Sequence, residues 1–134
     1  MRSNSDNIGQ REVLIVNVDS EESAGICRML HEADYATQIL DSPAELKSRL
    51  SEKSCFAVII DIDTVAVNNR TIRDLVSAFP AIPFLCISKE RFHPNLSDSI
   101  RNHIYACLTK PIDPDELSFL LKSIRKDEPR STID

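Results

Sequence analysis

The sequence has very little glycine, and this scarcity excludes two common nucleotide-binding sites. Only Gly9 and Gly25 are glycines among its 134 residues. A P-loop and a dinucleotide-binding turn each need several glycines within a few residues, so that the backbone can approach a phosphate group. The GxSxG motif of serine hydrolases is also absent, since Ser88 lies between Ile87 and Lys89. We therefore do not expect a turnover enzyme of these classes.

Long hydrophobic runs are absent as well, and so is an excess of positive charge. The apolar runs are far shorter than the roughly 20 residues of a membrane-spanning helix, and the polar residues 1–10 do not resemble a signal peptide. The net charge of -5 works against binding nucleic acid through its phosphates. We expect a cytoplasmic protein with no direct nucleic-acid partner and no membrane partner.

The cysteines are few and far apart. No two of them form a CxxC pair that could hold a metal or a redox disulfide. Each lies in an apolar segment: Cys27, Cys55, Cys86 and Cys107. We interpret them as buried small hydrophobic residues, which suits a reducing cytosol.

Unbroken apolar runs predict strands that are covered on both faces of a parallel sheet. Three strong runs are Val13–Val16, Ala57–Ile60 and Phe84–Ile87, and two weaker ones are Ala36–Leu40 and Tyr105–Leu108. Segments with helical spacing of apolar residues lie between them. This alternation predicts a doubly wound α/β domain with helices on both faces of a five-stranded parallel sheet.

The boundaries of the predicted helices differ in clarity. Ser42-Pro43-Ala44-Glu45 and Asp113-Pro114-Asp115-Glu116 each combine a capping side chain with a proline at the first helical position. The segment Leu96–His103 has the weakest helical pattern. We divide the chain into a polar tail at residues 1–10, one domain at 11–126, and a polar tail or linker at 127–134.

Polar residues follow four of the predicted strands directly. They are Asn17-Val18-Asp19, Asp61-Ile62-Asp63, Ser88-Lys89 and Thr109-Lys110-Pro111. Ligands bind beyond the carboxyl ends of parallel strands, so we expect these side chains to converge at one edge of the sheet. Close carboxylates need a cation. Lys110, at an exposed strand end, and Mg²⁺ are the candidates, since oxygen ligands suit Mg²⁺ better than zinc.

Several motifs resemble bacterial two-component response-regulator receiver domains, over about Glu12 to Lys126. They are the VLIV run, the AVIID motif that ends in Asp61, the serine that ends FLCIS, and the LTKP motif that contains Lys110. The resemblance implies a flavodoxin-like fold with strand order 2-1-3-4-5. It also implies that Asp61 accepts a phosphoryl group from a histidine kinase or phosphotransfer protein, that Ser88 and Lys110 bind this group, and that the Lys110–Pro111 peptide is cis.

The sequence departs from the family where Mg²⁺ is normally held. Asn17 and Val18 stand where receivers usually carry two adjacent acids. Asp61, Asp63 and Asp19 are the remaining candidate ligands of a weak magnesium site. Asp19 would need a local bulge, because successive residues of an extended segment point in opposite directions.

Two further departures concern the switch of the family and access to its acceptor. Cys107 occupies the place of the aromatic residue that rotates inward on activation, in concert with the residue at Ser88. Lys89 replaces a small residue, so its cation can screen the acids or obstruct a phosphodonor at Asp61.

These observations leave two main functions open. The first is a receiver that is phosphorylated on Asp61 and signals to a downstream protein through the predicted helix at Leu96–His103 and the fifth strand. The alternative is a degenerate, phosphorylation-independent receiver that acts as a protein-interaction module, which Val18 and Cys107 favour. In either case the partner can be a second copy of the chain, giving a homodimer. A third possibility is an unrelated enzyme, since a fold alone does not fix function.

Overall fold

The computed structural model describes residues 11–90 and 103–127, and these residues form a parallel sheet with helices on both faces. The strands are β1 (Glu12–Val16), β2 (Ala36–Leu40), β3 (Ala57–Asp61), β4 (Phe84–Ser88) and β5 (Ala106–Thr109). The helices in the described residues are α1 (Ser20–Glu32), α2 (Pro43–Glu52), α3 (Asn69–Ala78) and α4 (Pro114–Asp127). The helix expected at Leu96–His103 falls almost wholly outside the described residues.

The strand order is β2-β1-β3-β4-β5, with every neighbouring pair parallel. This confirms the predicted doubly wound, flavodoxin-like class. The order reverses direction between β1 and β3, and the carboxyl ends of these two strands therefore border the crevice where such folds bind ligands.

Each face of the sheet has its own hydrophobic core, because successive strand residues point to opposite faces. One core joins Val13, Ile15, Ala57 and Ile59 to side chains of α1 and α4 such as Ile26, Leu30, Leu117 and Leu121. The other joins Leu14, Val16, Val58 and Ile60 to side chains of α2 and α3 such as Leu46, Leu50, Ile72 and Leu75. The central strands are thus covered on both sides, which explains their unbroken apolar sequences.

The two clearly marked helix starts lie where the sequence placed them. The Oγ of Ser42 accepts a hydrogen bond of 3.1 Å from the backbone N–H of Glu45, and α2 begins at the next residue, Pro43. The Oδ1 of Asp113 accepts one of 2.9 Å from the N–H of Asp115. These oxygens satisfy N–H groups that have no partner within the helix.

Within the described residues, no helix combines the length and the apolar character needed to cross a membrane.

Candidate functional site

The predicted polar residues lie together at one edge of the sheet, where the strands end. Asp61 and Ser88 are the last residues of β3 and β4, one position beyond the apolar runs that predicted these strands. Asn17 directly follows β1, and Lys110 directly follows β5. The peptide bond between Lys110 and Pro111 is cis, the geometry implied by the resemblance.

Lys110 is the centre of this site. Its Nζ donates to Oδ2 of Asp61 at 2.8 Å and to the two carboxylate oxygens of Glu22 at 3.0 and 3.1 Å. It also lies 3.3 Å from Oδ2 of Asp63. Burial alone would lower the pKa of Lys110, but the hydrogen bonds to Asp61 and Glu22 outweigh it and raise that pKa. Lys110 is therefore a cation that three carboxylates share.

The side chain of Lys110 is only 10% exposed. The expectation that its ammonium lies at an exposed strand end is therefore wrong. The ammonium is enclosed because Glu22 and Asp61 approach it from α1 and β3.

Asp61 has hydrogen-bond donors on both carboxylate oxygens. Its Oδ2 accepts from Nδ2 of Asn17 at 2.6 Å as well as from Lys110. Its Oδ1 accepts from the backbone N–H groups of Asp63 and Thr64 at 2.9 and 3.3 Å. Asp61 is completely buried. Burial raises the pKa of this carboxyl, and the nearby Glu22 adds to the rise although the Lys110 hydrogen bond opposes it.

Asn17 connects the acids and the start of α1. Its Nδ2 donates to Asp61 and, at 3.3 Å, to Oε1 of Glu22. Its Oδ1 accepts from the backbone N–H of Asp19 at 2.6 Å. Asn17 is 1% exposed. It stands where the resemblance to receivers would place an acidic residue, and its neutral amide donates to Asp61. A second carboxylate there would instead repel Asp61.

Glu22 is the site residue that the sequence interpretation missed. It lies in the first turn of α1, where acidic residues are also favoured simply by the helix dipole. The segment Ser20–Ser23 reads as an ordinary solvated helix start, and only the contact with Lys110, 88 residues away, reveals the role of Glu22. Burial acts to raise its pKa, but hydrogen bonds within the Asp61, Lys110 and Asn17 cluster lower it overall.

Ser88 serves Asp63. The Oγ of Ser88 donates to Oδ1 of Asp63 at 2.9 Å, and the backbone N–H of Lys89 donates to Oδ2 at 2.7 Å. Although burial opposes it, these bonds and Lys110 lower the pKa of Asp63. No hydrogen bond joins Ser88 to Asp61, although both end neighbouring strands within the described chain. Apart from Lys110, the two carboxylates thus have separate hydrogen-bond donors.

Asp19 caps a helix, and Val18 is exposed to solvent. The Oδ1 of Asp19 caps α1 by accepting from the N–H groups of Glu21 and Glu22 at 3.0 and 3.1 Å. Val18 is 55% exposed. No group of three or more His, Cys, Asp and Glu side chains in residues 11–90 and 103–127 is placed to hold a metal ion. The roles of Asp19, Asp61 and Asp63 as magnesium ligands stay predictions.

The interpretation of all four cysteines as buried, unpaired hydrophobic residues is wrong. Cys86 is buried, but Cys107 is exposed, and the two form a disulfide between β4 and β5. Cys27 and Cys55 are free and half-buried. The pairing is invisible in the sequence, because it depends on the register that places Cys86 opposite Cys107.

Comparison with known proteins agrees with the fold. The family model described as flagellar regulatory protein FleQ matches residues 12–125. No match was found among curated proteins.

Among solved structures, the signal receiver domain of an HD domain-containing protein from Pseudomonas fluorescens matches with a TM-score of 0.79 and 15% identity, covering 91% of this chain and 99% of that one. A CheY-like receiver domain protein from Methanospirillum hungatei matches with a TM-score of 0.77 and 16% identity, covering 90% and 98%. A CheY-like receiver domain from Methylobacillus flagellatus gives 0.74 and 22%, covering 85% and 98%. The chain therefore has the receiver fold.

Proposed function

The chain belongs to the family described as flagellar regulatory protein FleQ, and from this premise we propose that it is a cytoplasmic receiver domain of response-regulator signalling that acts through protein contacts without phosphorylation of Asp61. The family description names a flagellar regulatory protein, so we propose that the process regulated is flagellar. The domain is then a signalling module and carries out no catalytic turnover.

The observation that carries this proposal is the enclosure of Asp61. Its two oxygens accept four hydrogen bonds, from Asn17, Lys110 and the backbone of Asp63 and Thr64. A carboxylate oxygen that attacks phosphorus must give up such bonds, and a buried partner left unsatisfied costs about 1 to 3 kcal/mol. Enclosure therefore opposes attack by Asp61 on a phosphodonor.

The residues present do not fit a magnesium ion. Mg²⁺ requires an octahedral set of oxygens and releases its waters reluctantly. Asn17 offers Asp61 an N–H group, Val18 offers no side-chain oxygen, and Asp19 caps a helix. The other nearby carboxylates share the Lys110 ammonium. No step of the proposed function passes through a metal.

Phosphorylation of Asp61 is the second candidate function. It is supported by the Lys110 ammonium at 2.8 Å from Asp61, which is the cation that the resemblance assigns to the phosphoryl group. In this reaction an oxygen of Asp61 forms a bond to the phosphorus of a phosphohistidine, and the bond from phosphorus to the histidine nitrogen breaks. The donor would be a histidine kinase or a phosphotransfer protein.

Two exposed aromatic residues support a protein partner. Phe119 on α4 is 68% exposed, and Tyr105, just before β5, is 40% exposed. Aromatic side chains are enriched in protein interfaces, because they bury a large area at low entropic cost. A downstream regulator or a second copy of the chain would bind through these side chains.

The deciding experiment is phosphorylation by a small donor. Wild type and Asp61→Asn are incubated with acetyl phosphate and Mg²⁺, and intact masses are recorded. We expect no phosphoryl adduct on either protein. An adduct on wild type that is absent from Asp61→Asn would establish the second candidate and overturn the first.

A further inference from the structure

The disulfide between Cys86 and Cys107 joins the last two strands of the sheet. The two residues face each other in the β4 and β5 register, with their Cα atoms 4.8 Å apart. This separation lies within the usual range for disulfides, about 4.4 to 6.8 Å. Cys86 is 2% exposed and lies in a hydrophobic core, whereas Cys107 is exposed on the edge strand. The Cys107 end of the bond is therefore the more exposed one.

The same two strands carry the donors of the polar site. Cys86 precedes Ser88 by two residues, and Cys107 precedes Lys110 by three. Ser88 donates to Asp63, and Lys110 donates to Asp61. A covalent link between β4 and β5 thus lies two or three residues from both donors. It fixes the spacing of the strands from which the donors extend.

We propose that Cys86 and Cys107 form a reversible thiol–disulfide switch, which thiol reductants open and which controls how firmly β5 holds Lys110 in the polar site. Disulfides in reducing compartments are usually transient and redox-sensing. The bond chemistry is independent of the proposed receiver function, and only its use in signalling rests on that function.

The exchange has a defined direction. A thiolate of the reductant attacks the sulfur of Cys107, the more exposed of the two residues, a mixed disulfide forms, and Cys86 leaves as a thiolate. A second thiol, from the same dithiol or from a second glutathione molecule, then attacks the mixed disulfide and releases Cys107. The reductant departs as a disulfide after giving two electrons, and both cysteines end as protonated thiols.

The free cysteines do not compete effectively in this exchange. Burial raises the pKa of the Cys55 thiol to about 12, and its Sγ donates to the backbone oxygen of Ala57 at 3.4 Å. Only a thiolate attacks a disulfide, so Cys55 is inert at neutral pH. Cys27 is half-buried on α1, outside the β4 and β5 pair.

The bond is tested by equilibrating the full chain in glutathione buffers from fully reduced to fully oxidised, quenching with acid, unfolding, alkylating and analysing by mass spectrometry. We expect four alkylated cysteines in reduced buffer and two in oxidised buffer, with a linked peptide pair that contains Cys86 and Cys107 and a reversible transition. Cys27→Ser is the matched control and should lose one alkylation in every buffer. Four alkylated cysteines in oxidised buffer, or a link that persists in dithiothreitol, would overturn the proposal.

The effect on the site is tested by amide NMR shifts of Ser88, Thr109 and Lys110 in the two redox states. We expect these amides to shift on reduction, and the melting temperature to fall by about 10 °C, as for the opening of a loop of some 20 residues. Cys107→Ser, a change at the exposed end, should match the reduced wild type in both buffers. Identical Lys110 shifts in the two states would refute control of the site. None of these readouts depends on phosphorylation or on a partner, so failure of the proposed function would leave them unchanged.

Discussion

The ammonium of Lys110 lies 2.8 Å from Oδ2 of Asp61, and the two side chains are 10% and 0% exposed. Such a buried pair stabilises a protein only when further hydrogen bonds offset the loss of hydration. Asn17 and Glu22 supply them here. The consequence of any substitution in the site therefore depends on whether it leaves a charge in this cluster without its partner.

Lys110→Met should lower the free energy of unfolding by about 3 kcal/mol, because removal of one member of a buried ion pair leaves the other uncompensated. Urea unfolding followed by circular dichroism measures this. Lys89→Met is the matched control, since Lys89 is exposed, and should change the value by no more than about 0.5 kcal/mol. Equal losses in the two variants would show that the Lys110 contacts contribute no stability.

Asp61→Asn should raise the free energy of unfolding by about 1 kcal/mol at pH 7, because it removes a charge that burial disfavours while Lys110 keeps Glu22 and Asp63 as partners. The folded-state pKa of Asp61 is raised, by burial first and by Glu22, so its ionised form opposes folding at neutral pH. This penalty disappears as the pH falls through that raised pKa. Unfolding curves of both proteins should therefore converge in acid. A variant less stable than wild type at pH 7 would contradict the burial argument.

Asp63→Asn should have the opposite sign and lower the free energy of unfolding by about 1 to 2 kcal/mol at pH 7. Asp63 accepts from Ser88 and Lys89, and its folded-state pKa is lowered although burial opposes this. A lowered pKa contributes stability above the unfolded value of about 3.9, and this stability is lost as the pH falls through the folded value. Carboxyl carbon NMR titration should give a lower pKa for Asp63 than for Asp61, and the reverse order would refute the assignment.

Val18→Asp should tighten Mg²⁺ binding by about tenfold or more, because it returns one anionic oxygen to the edge of the site. Val18 is 55% exposed, so the fold should accept the change. Amide NMR shifts of Asp61 and Asp63 follow the titration, since the chain has no tryptophan to report binding. Val18→Asn, which has the same shape without the charge, is the control. Wild type that binds Mg²⁺ as tightly as Val18→Asp would show that Asp19 or Asp63 already replaces the missing carboxylate.

Phe119→Ser should weaken association with a partner or a second copy by about tenfold while the free energy of unfolding stays within about 0.5 kcal/mol of wild type. Phe119 is 68% exposed and adds little to the core. Sedimentation velocity over a range of concentrations measures self-association. Lys122→Ser, at another exposed position of α4, is the control. Unchanged association in Phe119→Ser would remove this residue from the partner surface.

The sequence was sufficient to predict the class of fold, because apolar runs and helical spacing alternate regularly. It also predicted that Asp61 and Lys110 meet, since both follow parallel strands whose ends share one edge. Glu22 escaped prediction because its helix approaches the site from one face of the sheet, and nothing local distinguishes it from Glu21. Asp19 was expected near a metal, but the helix that begins at the next residue uses its carboxylate as a cap.

The disulfide was not predicted from the sequence, for a related reason. Cys86 and Cys107 are 21 residues apart, and only the register of β4 against β5 brings them together. The resemblance to receivers assigned Ser88 to the phosphoryl site of Asp61. In the structure its hydroxyl bonds to Asp63, because the turn after β3 brings that second acid against the end of β4.

The position of Lys110 along the chain determines when the ion cluster can be completed during synthesis. Glu22, Asp61 and Asp63 all emerge from the ribosome before Lys110, which contacts partners 88 and 49 residues behind it. A nascent chain that ends before β5 holds three acids without their shared cation. Lys110 directly follows β5, so the ion cluster is complete only when this strand has joined the sheet, and a chain without it cannot reproduce the charge balance of the finished domain.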